Sequence, residues 1–203
     1  MKKSSKFISA LKWFFDSMLW VFVLIVVLDV VTKQIAQNQL IYEGHSVKAI
    51  PGFLSFTLTY NNGAGFGIFG NIDNEILRRT LLIGISTIMC ILFALYYGIK
   101  FKKLSIAYKI GIMLLLAGAF GNWIDRTCYP GGLVIDFIDV DIGNYKTFPI
   151  FNLADSSLTI GIIYLIIVII VDEIKNGKKE ESTLNNEEQS LNDSIKDKKD
   201  ENK

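Results

Sequence analysis

The sequence has little of what most catalytic frameworks are built from. It holds one histidine and two cysteines in 203 residues. Two cysteines cannot make a disulfide framework, so Cys90, inside an apolar run, reads as a small buried thiol, and Cys128 is given no role. A lone histidine and no HExxH leave a zinc site poorly supported. No metal or other cofactor is expected, and His45 reads as a loop residue. A net charge of +1 argues against a nucleic-acid partner. No lysine lies near Ser156 or Ser157 to act as base to a serine nucleophile, so those hydroxyls are expected to bond locally within a helix. No small-x-small cleavage pattern follows Leu28. The lysines and the apolar run before it therefore read as an uncleaved first helix.

What the chain has in abundance is apolar residues, 51% of the total, too many for an ordinary soluble domain of this length. A span needs about 20 predominantly apolar residues, and the segments that meet this are Trp13–Val31, Thr80–Ile99, Leu104–Ile124 and Phe148–Val171. Basic residues cluster before the first span (Lys2, Lys3, Lys6, Lys12), around the link between the second and third (Lys100, Lys102, Lys103, Lys109) and after the fourth (Lys175, Lys178, Lys179). By the positive-inside rule both termini are expected in the cytoplasm, with Arg78 and Arg79 as the main opposing charges. Residues 34–79 and 126–149 are then the outer loops.

These loops do not read as plain connections. In "FLSFTLTY" (53–60) Leu54, Phe56, Leu58 and Tyr60 alternate with Ser55, Thr57 and Thr59, the period of a strand with one apolar face. "NNGAGFG" (61–67) is a turn-rich segment, and "LVIDFIDVDIG" (133–143) is strand-like again. The expected fold is a mainly α membrane protein of four transmembrane helices with a small β-sheet domain on the outer face. Residues 1–174 form this membrane domain. Residues 175–203, charged and without aromatics or periodicity, are expected to be a disordered cytoplasmic tail.

Polar residues converge at one membrane depth. Asp125 is expected to end the third span and Asp155 to begin the fourth, with Asp136, Asp139 and Asp141 in the loop between. Asp29 and Lys33, four apart, share a helical face and can pair. Asn61, Asn62, Asn122 and Asn152 add neutral hydrogen-bonding groups. An aspartate at the centre of a membrane helix costs about 3 kcal/mol on insertion scales and marks a functional site. Carboxylates held close together cannot both ionise, so one keeps a proton while the other acts as base. These residues leave open a membrane hydrolase, a transporter or channel subunit binding ions at Asp29 and Asp155, and a non-enzymatic factor that binds client helices. Asp139 and Asp141 read as solvated loop residues.

The motifs "LDVVTK" (28–33), "NNGAGFGIF" (61–69), "GNWIDR" (121–126), "VIDFIDV" (134–140) and "FNLADSSLTIG" (151–161) together resemble the lipoprotein signal peptidase (signal peptidase II) family, in order and with suitable spacing. The resemblance implies an intramembrane aspartyl endopeptidase that removes signal peptides from diacylglyceryl-modified bacterial prolipoproteins, cutting before the lipidated cysteine. It implies Asp136 and Asp155 as the catalytic pair. It also implies Asp29, Lys33, Asn61, Asn122, Asp125, Arg126 and Asn152 as residues that support the site or bind substrate. Gly65 departs from the alanine common in the family. The implied partners are lipid-modified prolipoproteins and membrane lipid, the enzyme is expected to be a monomer, and the implied location is the bacterial cell membrane, with the active site near its outer face.

The lysine asymmetry generates a test of topology. Cysteine tags at Glu43 or Lys146 should react with impermeant reagents in intact cells, and tags beyond Lys178 should be shielded. The reverse pattern would overturn the orientation.

Overall fold

A computed structural model of the chain describes the backbone of residues 2–63, 69–141 and 148–200, and the side chains of 6–63, 69–141 and 148–184. The fold falls into two compact units, Met1–Ile163 and Tyr164–Lys203. In chain order the elements are α1 (Lys2–Asp16), α2 (Leu19–Gln39), β1 (Ser46–Ile50), β2 (Leu54–Asn61), α3 (Glu75–Lys100), α4 (Ile106–Cys128), a 3₁₀ turn at Pro130–Gly132, β3 (Val134–Val140) and α5 (Leu153–Asp200). Four helices among the described residues are long and apolar enough to span a membrane: α2, α3, α4 and the Leu153–Leu184 part of α5.

Helix α4 is the centre of the first unit. Half of its apolar window is buried, against 22% for α2 and 6% for α3, and it packs against α2, α3 and β3. The sequence explains this through small residues. Gly111, Ala117, Gly118, Ala119 and Gly121 are all buried, and small side chains let helix backbones approach closely where apolar lipid offers no hydrophobic drive to association. A Cβ on Gly118 would run into the Ala154 carbonyl oxygen and come within 2.7 Å of Leu158 Cγ. One on Gly121 would stand 2.6 Å from Asp29 Oδ2 and 3.0 Å from the Ala154 Cβ. Helix α3 buries only Leu82, and its apolar surface suits lipid.

The strands form one antiparallel sheet, ordered β1-β2-β3. Its attachment to α2 is a cluster of Ala36 from the helix and Leu40 just after it with Leu58, Ile135 and Phe137 from the strands. The β2–β3 register shifts between Phe56 and Thr59, a bulge that moves side chains after it to the other face. Thr59 consequently lies opposite Asp136, and Asn61 opposite Val134. Beyond α4 the chain reverses through Gly131 (φ 74°) and Gly132 (φ 69°), a backbone region that favours glycine. Gly132 also lies so close to Arg79 that a Cβ would meet its Cγ at 2.6 Å.

Several boundaries differ from the sequence expectation. The segment expected as a first span at Trp13–Val31 is split between α1 and α2. The break is at Ser17–Met18, where Met18 is left-handed (φ 56°), and the Tyr97 hydroxyl donates to the Ser17 carbonyl. Asp29 and Lys33 consequently lie in the body of α2 rather than near its end. Asp125 lies within α4, which runs to Cys128 rather than ending at Ile124. Strand β1, with all of its residues exposed, was not expected because it has no buried face. Phe56 is exposed rather than part of an apolar face, a consequence of the bulge. Asp139 belongs to β3 and accepts from the Thr57 hydroxyl at 2.8 Å, so it is a sheet residue rather than a solvated loop residue. Ser157 reaches out of its helix to the Leu114 carbonyl of α4. Cys90 is half-buried on the thinly covered α3. The expected strand end at 142–143 and the motif residues 64–68, Gly65 included, lie outside the described residues.

In the second unit, Tyr164–Lys203, the helix continues to Asp200, where a chain without regular structure was expected from 175. The residues there are charged but include seven lysines and five glutamates, which lose little rotamer freedom in a helix. Low hydrophobicity removed the drive to pack without removing the preference for helix.

The close approach at Gly118 yields a stability test. Gly118→Ala should lower thermal stability in detergent by about 1–3 kcal/mol, as overpacking does. Gly84→Ala, where a Cβ meets nothing within 4 Å, should leave it unchanged or slightly raised. Equal effects would mean that the α4–α5 approach is not tight.

Candidate active site

The site starts from how α5 begins. Just before the helix the chain runs beside β3: the Phe137 and Ile138 amides donate to the Phe151 carbonyl, and the Phe151 amide donates back to Ile138. This pairing delivers Asn152 to Asp136. Asn152 then caps α5, its Oδ1 accepting from the Asp155 amide at 2.9 Å. Asp155 Oδ2 accepts in return from the Asn152 amide at 3.3 Å. This is the reciprocal arrangement of a capping box, with aspartate in the place of glutamate. A carboxylate in the first turn also suits the helix dipole.

Asn152 is fully buried, and its side-chain amide joins the two carboxyl groups. Nδ2 donates to Asp136 Oδ1 at 2.6 Å, and also approaches Asn122 Oδ1 at 3.1 Å and the Ile135 carbonyl at 3.2 Å. Asp136 Oδ2 accepts from Asn61 Nδ2 at 3.0 Å, a diagonal cross-strand contact set by the register after the bulge. Asp155 Oδ1 accepts from Asn122 Nδ2 at 2.7 Å. Asp136 is 1% exposed, whereas Asp155 is half-buried.

Behind this pair lies a buried ionic cluster. Lys33 Nζ is 2.7 Å from Asp29 Oδ2 and 2.8 Å from Asp125 Oδ2, and donates to Asn122 Oδ1 at 3.3 Å. The 2.7 Å approach of Lys33 Nζ to Asp29 Oδ2 is that of a charge-assisted contact. Asp29 Oδ1 accepts from the Ala154 amide at 2.8 Å, and Asp125 Oδ2 from the Ile135 amide at 3.1 Å. Asp29 is thereby occupied by protein groups, which speaks against its expected alternative role as an ion-binding group. Arg126 Nη2 donates to the Gly63 carbonyl at 3.1 Å, holding the end of the Asn61–Gly63 segment.

The residues expected at the site thus fall in one connected network: Asp136 and Asp155 joined through Asn152 and Asn122, Asn61 on Asp136, Asp29, Lys33 and Asp125 behind them, and Arg126 at the edge. Asn62 is exposed and takes no part. Sequence reading missed Gln37, whose amide donates to the Tyr129 hydroxyl at 2.8 Å, with Tyr129 stacked on Tyr60 at 5.5 Å. It also missed the role of Gly121, for which the close spacing of small residues along α4 was an available signal. A cavity of about 210 Å³ borders Lys33, Asp125 and Cys128 but neither Asp136 nor Asp155, so it is not where the two carboxyl groups meet. Among the described residues no group of His, Cys, Asp and Glu is arranged to hold a metal ion.

Burial raises the Asp136 carboxyl to about 7, reinforced by repulsion from Asp155 and opposed by the Asn61 amide, Lys33 and the Asn152 amide. At neutral pH this group holds a proton for much of the time. Asp155 is tied instead to a helix start and an amide donor. A buried acid beside a partner carboxylate is the arrangement needed for paired acid–base chemistry on a water molecule.

A family model described as signal peptidase (SPase) II matches residues 21–171. The lipoprotein signal peptidase of Staphylococcus aureus strain MRSA252 is 39% identical over 169 residues, covering 83% of this chain and 97% of the relative. The protein of the same name from strain JH9 gives the same identity and coverage. A bacterial membrane enzyme solved by the in meso method at 2.3 Å superposes with a TM-score of 0.65 at 41% identity, over 77% of this chain and 88% of that one. A second such enzyme, at 1.9 Å, gives 0.63 at 42% identity, over 75% and 91%.

The raised Asp136 carboxyl makes stability depend on pH. Aspartate in the unfolded chain titrates near ~3.9, so between there and about 7 the folded state holds a proton that the unfolded state releases. Stability should therefore fall as pH rises through that window, by an amount on the order of 4 kcal/mol from this group. Thermal unfolding in detergent at several pH values should show this decline, and Asp136→Asn should flatten it. An unchanged slope in that variant would place the titrating group elsewhere.

Proposed function

The chain belongs to the signal peptidase II family, and on that premise we propose that Asp136 and Asp155 are the catalytic pair with which it removes signal peptides from lipid-modified prolipoproteins. It is an aspartic endopeptidase and a multi-pass protein of the bacterial cell membrane. The observation that carries the assignment is the bridge through Asn152, which holds one carboxyl by its side chain and the other by its backbone amide. Such a bridge fixes both groups relative to one another without neutralising either.

The chemistry follows from the unequal surroundings. Asp155, at the start of α5, takes a proton from water as the water oxygen attacks the scissile carbonyl carbon. Asp136 gives its proton to the carbonyl oxygen. As the C–N bond breaks, Asp155 passes its proton to the leaving nitrogen, and Asp136 recovers one as the carbonyl reforms. Asn61, Asn122 and Asn152 hold the carboxyls in place, and Lys33 with Asp29 and Asp125 supplies a buried ionic support. Arg126 steadies the segment ending at Gly63.

The substrate cysteine carries a diacylglyceryl group, and a site at a membrane boundary suits such a substrate. Lysine asymmetry supports cytoplasmic termini and a site near the outer face. The two carboxyl groups and their asparagines bond to one another within one copy, in keeping with a monomer. All network residues precede Tyr164, which supports residues 1–174 as the peptidase unit and residues 175–203 as a dispensable cytoplasmic segment.

Asn is nearly isosteric with Asp but serves neither as an efficient base nor as an acid. Asp136→Asn and Asp155→Asn should each reduce cleavage of a lipid-modified precursor, followed by mass spectrometry, by at least ~10²–10⁴-fold. The double variant should be scarcely worse than either single one, since the two act as a unit. Asp139→Asn, which keeps an oxygen for the Thr57 hydroxyl, Asp141→Asn and removal of residues 180–203 should retain most activity. Normal cleavage by both single variants would refute the assignment.

A further inference from the structure

The proteolytic network makes no use of α1, yet this helix has two sharply different faces. At helical spacing Phe7, Leu11, Phe14 and Phe15, flanked by Ile8, share one side. Phe7 is 69% and Ile8 61% exposed, so nothing described in the protein covers them. Lys6, Ser9 and Lys12, all exposed, occupy the other side together with Trp13. The helix also contains Lys2 and Lys3, and no acidic residue precedes Asp16.

The end of α1 is fixed in place. The Tyr97 hydroxyl of α3 donates to the Ser17 carbonyl, and Lys109 Nζ of α4 donates to the Asp16 carbonyl at 3.3 Å. Lys109 also sits 4.1 Å from the Phe101 ring centroid, on which Trp13 packs at 6.3 Å. A cation on the last carbonyls is favourable at a helix C-terminus. These contacts tie α1 to the connection that carries the exposed Lys100, Lys102 and Lys103. Only Ser17 and Met18 separate α1 from the spanning helix α2, a reach of about 7 Å even when extended.

We propose that α1 is an interfacial helix that docks on the surface of a bilayer containing anionic phospholipid. Its apolar face enters the headgroup–acyl boundary, and its lysines, with those of the α3–α4 connection, meet lipid phosphates. Continuity with α2 keeps the helix at the membrane boundary, an uncovered aromatic face there matches the acyl region, and an excess of lysine matches negative headgroups. The inference rests on the membrane-spanning reading of α2 and not on the assignment of the catalytic pair, so cleavage assays do not decide it.

The test uses the full-length protein in nanodiscs of phosphatidylcholine alone or of phosphatidylcholine with phosphatidylglycerol, followed by hydrogen exchange. Amides of residues 7–16 should exchange roughly tenfold more slowly with the anionic lipid, as expected for several lysines near a charged surface, and lose that difference at high salt. The Lys6→Gln/Lys12→Gln double variant should narrow the difference, and Phe7→Glu/Leu11→Glu should remove protection in both lipids. Unchanged exchange in α2 and α4 verifies that each variant is folded. Protection that ignores lipid charge, or that appears only when discs hold more than one copy, would overturn the proposal.

Discussion

One buried ammonium holds the spanning helices and the sheet in register. Lys33 Nζ lies between Asp29 of its own helix and Asp125 of α4. The two carboxylates then reach outward, Asp29 to the first turn of α5 through the Ala154 amide and Asp125 to β3 through the Ile135 amide. Four elements thus converge on one cation. Removing one partner of a buried pair typically costs about 3–5 kcal/mol, because the other charge is left unpaired. In a membrane that penalty has no easy escape through water, so the cluster constrains where α2, α4, α5 and β3 can lie.

The carboxyl pair inherits its geometry from that constraint. Asn122 is shared, since its oxygen accepts from Lys33 and from Asn152 while its amide donates to Asp155. Asn152 serves equally as helix cap and as bridge. The hydrogen bonds that start α5 are therefore the ones that hold the two carboxyl groups, and local helix initiation and the placing of the pair become the same event. Asp136, on a strand buried on both faces from Val134 to Phe137, meets a drier environment than Asp155. Unequal burial gives two identical side chains different surroundings.

Much of this was legible in the sequence. Four spans followed from length and apolarity, the Asp29–Lys33 pair from a four-residue spacing, a strand at 53–60 from alternation, and a strand within 133–141 from a strand-like run. The motifs pointed to Asp136 and Asp155 through family resemblance, whereas residue chemistry alone left hydrolase, transporter and binding factor open. The sequence also misled where pattern and packing diverge. An apolar run across Ser17 read as one helix, because the break depends on contacts from Tyr97 and Lys109 that lie far away in the chain. The charged segment after residue 175 read as disordered, because composition reports the drive to bury surface and not the preference of its residues for helix.

The chain by itself determined which segments suit lipid, which suit a sheet and which polar residues must be sheltered, since these follow from hydropathy, period and the desolvation of charge. Only the tertiary structure decided which polar groups meet. A one-residue bulge in β2 sets Asn61 diagonal to Asp136. Pairing of Phe151 with β3 brings Asn152 to the same carboxyl, and Gly121 lets Asp29 reach the Ala154 amide. Each of these depends on distances between residues far apart in the chain, and those distances are fixed by backbone pairing and close packing, which no local pattern of side chains records.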